Sequence, residues 1–310
     1  MTDKALPRAL FIGHTYIDIT FLTDRIPTGD EKYVAQDYAV SFGGNAVTAA
    51  FCCAKLADGG MAVDLIATHA DDWLGRMFLE MAERYDVGIH SRAVKESSLS
   101  FIMPNNGKRA IVRCRDDDYL EPFPQIDVRD FAGLHLDGHQ PDAALHYARL
   151  CREAGVLTSL DGGSVRHNTD EVLKYIDVAI VSERFCEQMN LSGRQMLDRL
   201  RKAGCTVGGV TRGEHGLLWY EGDGGAKVTP ALAVPSDKVI DTSGAGDIFH
   251  GAYLWSRLMR PEQSWNEHFK FASAASAYKV QKLGNEAGLP TQADIARMRQ
   301  MFTESEARPA

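Results

Sequence analysis

The chain has 310 residues, 45% hydrophobic and 25% charged, with 34 Lys+Arg against 42 Asp+Glu, a formal net charge of −8. That composition excludes disorder, a collagen-like repeat and a small disulfide scaffold, and an acidic chain with no basic run argues against a nucleic-acid binder. The first residues lack an apolar core of signal-peptide length, no apolar stretch of about 18 residues occurs, and the six cysteines form no Cys-x-x-Cys pair. A reduced, cytoplasmic protein without a membrane span is expected.

In chain order, Ala9–Gly13 is a short apolar run that predicts a buried first strand. Phe42-Gly43-Gly44-Asn45 then opens a helix of small and apolar residues from Ala46 to Leu56, and Val63–Ala67 predicts the next strand. Apolar residues at 73, 74, 77, 78 and 81 predict a helix over 72–85. The middle breaks this alternation. Residues 100–103 and 109–113 flank Asn105-Asn106-Gly107, a hairpin signature, and Lys32-Tyr33-Val34-Ala35 is a second extended piece. Both predict a small accessory sheet. Afterwards strands are predicted at 134–136, 156–160, 178–181 and 206–211, a hairpin over 216–229, and helices over 142–154, 246–259, 265–282 and 292–302. The tail from Thr303 is expected to fray. Strands alternating with helices imply an α/β fold with a mostly parallel central sheet covered on both faces. Ligands in such sheets bind beyond the carboxyl ends of the strands, here Gly13, Asp161, Ser182-Glu183 and Thr211-Arg212-Gly213.

Asp241-Thr242-Ser243-Gly244-Ala245-Gly246-Asp247 is the most informative segment. Small residues at a helix start let backbone N–H groups approach an anion. An aspartate one residue further would repel a merely bound anion, but it suits a general base that takes a proton from an attacking hydroxyl.

Residues 241–252, Asp-Thr-Ser-Gly-Ala-Gly-Asp-Ile-Phe-His-Gly-Ala, resemble the C-terminal signature of the ribokinase (PfkB) family of carbohydrate kinases. Gly43-Gly44-Asn45 resembles its sugar-binding motif, Gly13 with Asp18 its first strand and sugar aspartate, and Thr211–Gly216 its nucleotide segment. Within the family the chain resembles the ketohexokinase and sulfofructose-kinase branch. The resemblance implies a ribokinase-like fold in one domain, 1–310, with a β-sheet lid from about 15–40 and 98–115. It implies transfer of the γ-phosphoryl group of ATP to a sugar hydroxyl, with Asp247 as base and Gly244, Ala245 and Gly246 as anion hole. Asp18, Gly43, Gly44, Asn45, Tyr16 and Arg113 would hold the sugar, and Ser182, Thr211, Gly213 and Gly216 the nucleotide. Asp241 and Ser243, with carbonyls near Gly284 and Gly288, would match a monovalent-cation loop, implying activation by K+. A homodimer through the lid is implied, with Tyr33, Val34, Phe101 and Ile102 on its face.

One departure concerns Mg2+. Ser182 and Phe185 stand where the family often has an Asn-x-x-Glu motif, and Glu183 keeps a carboxylate two residues out of register. Arg109, Arg113 and Arg115 on or after the hairpin suit either an anionic substrate or a solvated strand face. The run Asp116-Asp117-Asp118 is read as a solvated loop. A nucleoside kinase of the same fold and a non-catalytic sugar sensor are the alternatives. Retention of Asp247 weighs against the sensor.

Overall fold

The computed structural model describes residues 6–105 and 108–305. The chain opens with β1 (Arg8–Gly13), β2 (Tyr16–Leu22) and β3 (Asp37–Gly43), then α1 (Asn45–Ala57), β4 (Ala62–His69), α2 (Trp73–Arg84) and β5 (Val87–Ala93). A hairpin of β6 (Ser98–Asn105) and β7 (Lys108–Cys114) follows. Alternation resumes with β8 (Gly133–Leu136), α3 (Pro141–Glu153), β9 (Leu157–Gly162), α4 (Thr169–Val172), β10 (Val178–Ser182), α5 (Glu183–Gln188), α6 (Gly193–Ala203) and β11 (Val207–Thr211). The chain closes with β12 (Leu217–Glu221), β13 (Lys227–Thr229), α7 (Ala245–Met259), α8 (Trp265–Lys279) and α9 (Gln292–Met301).

Among the described residues the larger sheet has the order β13-β12-β11-β10-β9-β8-β1-β4-β5. The strands from β11 to β5 pair in parallel, while β12 and β13 add antiparallel at one edge. The inner parallel strands are buried along most of their length because helices cover both faces: β1 is buried at five of its six residues. One core cluster gathers α1, α7, α8 and α9 on one face, with Phe42 stacked on Phe51 at 3.8 Å. The other holds α3 and α6 against the opposite face. From β1 the chain steps one way to β4 and β5, and from β8 the other way to β9, β10 and β11. The order therefore switches between β1 and β8, where a ligand crevice forms in an open α/β sheet.

The second sheet has the order β3-β2-β6-β7, with β2 parallel to β6 and the other pairs antiparallel. Its register puts Asp18 beside Ser41 and Ser100, and Ser100 beside Arg113. Alternation gives the other face to Phe21, Tyr38, Phe101 and Val112. Phe21 and Phe101 stack with ring centroids 6.4 Å apart.

Three expectations need correction. Residues 32–35 are not a strand; the extended pieces are β2 and β3, whose polar residues alternate with apolar ones. Ile102 points inward, at 2% exposure, while Val34 is exposed outside the sheet. Thr303, Glu304 and Ser305 do not fray: Ala233 donates to the carbonyl of Thr303 at 2.9 Å, Ser305 to that of Ala231 at 2.7 Å, and Glu304 meets Lys270 at 2.8 Å. The Asn106-Gly107 turn lies outside the described residues. No described helix is long and apolar enough to cross a membrane, and all six cysteines are free.

Candidate active site

Gly244 turns the chain into α7 at φ 73°, and no side chain caps the helix. The first-turn N–H groups, unpaired by helix geometry, are open to an anion. Of the expected amides, that of Ala245 leans back on the Thr242 carbonyl at 3.4 Å. Asp247 lies on this first turn, half-buried. Burial, then the Asp161 carboxylate, push its carboxyl above the usual range. Arg109 and Arg113 oppose this, and Asp18 adds to it. Asp161, at the end of β9, is pushed up mainly by burial, against the stabilising amide of Asn45. The two carboxylates thus favour sharing a proton over both being ionised.

The start of α1 meets the same crevice. The Asn45 side chain does not cap α1, a place taken by Gly44; its Nδ2 donates to Asp161 Oδ2 at 3.1 Å. Gly43 and Gly44 are glycines for steric reasons. A Cβ on Gly43 would lie 2.3 Å from Cγ of Asp18, and one on Gly44, at φ 104°, 2.1 Å from the His14 carbonyl oxygen. Asp18, 5% exposed on β2, accepts from Asn285 Nδ2 at 3.1 Å. Burial pushes its carboxyl up, opposed by Ser100, Arg113 and Asn285. Tyr16 is buried, with its ring 4.8 Å from the Arg113 guanidinium carbon. Arg166 reaches Nε2 of His139 at 2.5 Å.

Ser182 and Thr211 are paired neighbours at the ends of β10 and β11. The Ser182 hydroxyl caps α5 by accepting from the Phe185 amide at 3.1 Å, and donates to the Gly163 carbonyl at 3.1 Å. Gly213 and Gly216, both at positive φ, bracket a tight turn closed by the Arg212 amide on the Gly216 carbonyl at 2.8 Å. These groups stand at the carboxyl ends of the neighbouring strands β10 and β11. Glu183 is exposed, and Phe185 is 1% exposed in the core. Among the described residues no three His, Cys, Asp or Glu side chains gather as metal ligands, the 116–118 run included. The residues present do not form a protein cage for Mg2+.

The expected cation loop is occupied by protein. Asp241, 1% exposed, accepts from the Ser243 amide at 2.8 Å and the Gly284 amide at 3.1 Å, and the Lys279 ammonium lies 3.1 Å from its Oδ2. Gly284 thus offers this carboxylate an N–H, and of the residues expected to hold K+ it is Asp241 that holds the ammonium.

Sequence reasoning missed three residues. Asp137, just past β8 at the switch point, accepts from the Ala46 amide at 3.1 Å and the His139 amide at 3.0 Å. Burial pushes its carboxyl up, but His139 and these two amides outweigh that and hold it well below the usual range. Asn285 joins Asp18 to the Phe42 carbonyl at 2.9 Å, and Lys279 is the third. None lies in a recognisable run. The one local signal is for Asp137, a polar residue directly after a fully buried strand.

The sequence pattern described as "pfkB family carbohydrate kinase" matches residues 7–292. The chain belongs to this family. The Lactococcus lactis ribokinase is 23% identical over 92% of this chain and 94% of its own length. The ATP-dependent ribose-1-phosphate kinase of Halopiger xanaduensis is 26% identical over 95% of this chain and 99% of its own. A putative ribokinase from Agrobacterium tumefaciens superposes with a TM-score of 0.85 at 24% identity, covering 96% and 98% of the two chains. The fold is ribokinase-like, and this PfkB member is a carbohydrate kinase.

Proposed function

We propose that the protein moves the γ-phosphoryl group of ATP to a hydroxyl of a sugar, with Asp247 as general base. The observation that carries this is the placing of a carboxylate with a raised proton affinity on the first turn of an uncapped helix. A base works best when its pKa approaches the working pH. Asp247 takes the hydroxyl proton as that oxygen attacks the γ-phosphorus. The bond to the bridging oxygen breaks and ADP leaves. Negative charge on the phosphoryl oxygens meets the N–H groups of 244–246 and the α7 dipole. Asp18 holds a sugar hydroxyl, and Asn45 orients Asp161 beside the base. Tyr16 and Arg113 border the sugar, while Ser182, Thr211, Gly213 and Gly216 border the nucleotide. Any Mg2+ arrives held chiefly by the triphosphate oxygens.

Arg109 and Arg113 act electrostatically on Asp247, and Arg113 and Arg115 on Arg166. Four guanidinium groups around one crevice favour a sugar bearing carboxylate, sulfonate or phosphate. The apolar outer face of the small sheet serves self-association into a dimer.

ADP release should be measured with ATP and Mg2+ over neutral sugars, anionic sugars and a nucleoside, each beside Asp247→Asn. Turnover with one sugar that collapses in the variant is the expected result, with an anionic sugar preferred. Turnover with the nucleoside alone, or none with any acceptor while ATP still binds, would overturn the assignment.

A further inference from the structure

We propose that the Lys279 ammonium is a tethered cation built in behind the anion hole, so that phosphoryl transfer here needs no free monovalent cation. This rests on the kinase reading above. The residues preceding Lys279 in α8 are Ala-Ser-Ala-Ala-Ser-Ala-Tyr. A lysine ending such a helix would ordinarily extend its ammonium to water. Lys279 instead turns inward, and its side chain and that of Asp241 are both 0% exposed.

Its Nζ lies 3.1 Å from Asp241 Oδ2, 3.2 Å from the Asp241 carbonyl oxygen and 3.4 Å from the Lys282 carbonyl oxygen. Three oxygens from two chain segments converge on one positive charge, and three N–H donors match three acceptors. Burying an ion pair is expensive unless both partners are fully satisfied, so such a pair is weak evidence for stability alone. Here two of the three contacts fall on Asp241, in the loop that carries the base. Asp241 begins the segment 241–247, and its carboxylate also receives the amides of Ser243 and Gly284. The ammonium therefore pins the anion-hole segment to the turn after α8. The room for its stem is equally specific, since a Cβ on Gly288 would lie 2.0 Å from Cδ of Lys279. Because the ammonium is already on these oxygens, a soluble cation cannot share them. Lys279 is a positioning residue: it touches neither sugar nor nucleotide, but fixes the geometry and local charge of the groups that do.

The test is a cation series at constant ionic strength, K+, Na+, NH4+ and choline, on the wild type and on Lys279→Ala. For the wild type, kcat and melting temperature should be the same in all four salts. For Lys279→Ala, kcat should fall in choline with the sugar KM little changed. K+ or NH4+ should then restore kcat and raise the melting temperature, because a small cation enters the vacated oxygens and binds only the folded state. A wild type stimulated by K+ over choline would overturn the proposal, as would a Lys279→Ala protein with undiminished kcat in choline. If Lys279→Ala does not fold in choline, refolding in K+ is the expected result and failure in every salt the contrary one. Should no sugar turn over, the kinase reading fails by itself, and the melting series still decides whether the lysine replaces a cation.

Discussion

Asp247 shares its crevice with Asp161 and Asp18, and that crowding has a thermodynamic sign. A carboxyl raised in the folded chain above its ordinary value of 3.8 binds more protons folded than unfolded over that interval. Stability therefore falls as pH rises through the raised value, and the ionised base is a cost the fold carries for chemistry. Asp247→Asn should cut kcat by about 10²–10⁴-fold, the usual span for a general base. The same variant should melt higher than the wild type near pH 8, by a smaller margin near pH 5, and no differently only below the unfolded value of 3.8, where the wild-type carboxyl is protonated in both states. Paired melting curves at the two pH values check this; a variant that melts lower at pH 8 would mean that the carboxylates are not in repulsion. These electrostatics were only half legible in the sequence. Asp247 stood out because glycines and a helix start surround it. Asp137 and Asn285 act through partners 91 and 267 residues away, Ala46 and Asp18.

At the scale of elements, the parallel strands were readable because both faces of β1, β4, β10 and β11 are covered and their sequences run largely apolar. The small sheet was harder. Its strands β2 and β3 alternate, and the polar alternates Asp18 and Ser41 resemble loop residues until the register sets them side by side. The extended piece at 32–35 drew attention instead because it is apolar at Tyr33 and Val34. The junction of β3 with α1 is tightly constrained. Gly44→Ala should cost about 1–3 kcal/mol of stability, since the side chain must enter a left-handed backbone against the His14 carbonyl. A denaturant midpoint equal to that of the wild type would show that the junction can relax.

For the whole molecule, the two faces of the small sheet divide the work. One turns Asp18 and Arg113 toward the crevice, while the other leaves Tyr38 at 65%, Phe101 at 41% and Val112 at 61% exposure. Exposed apolar residues clustered on one face commonly mark a contact surface. A dimer mass is expected at micromolar concentration by light scattering, and Phe101→Asp should give a monomer that still binds ATP. A wild type that runs as a monomer would remove the self-association proposal and leave the catalytic one intact.

Cys114 ends β7 and is exposed, while the other five cysteines are buried. The fold has thus left one thiol open to a maleimide, on the strand that carries Arg113. A fluorophore attached there would sit on the small sheet and away from the cores of the large one. Its emission would follow the position of that sheet as acceptor and nucleotide arrive, separately or together, in a protein that needs no engineered label site.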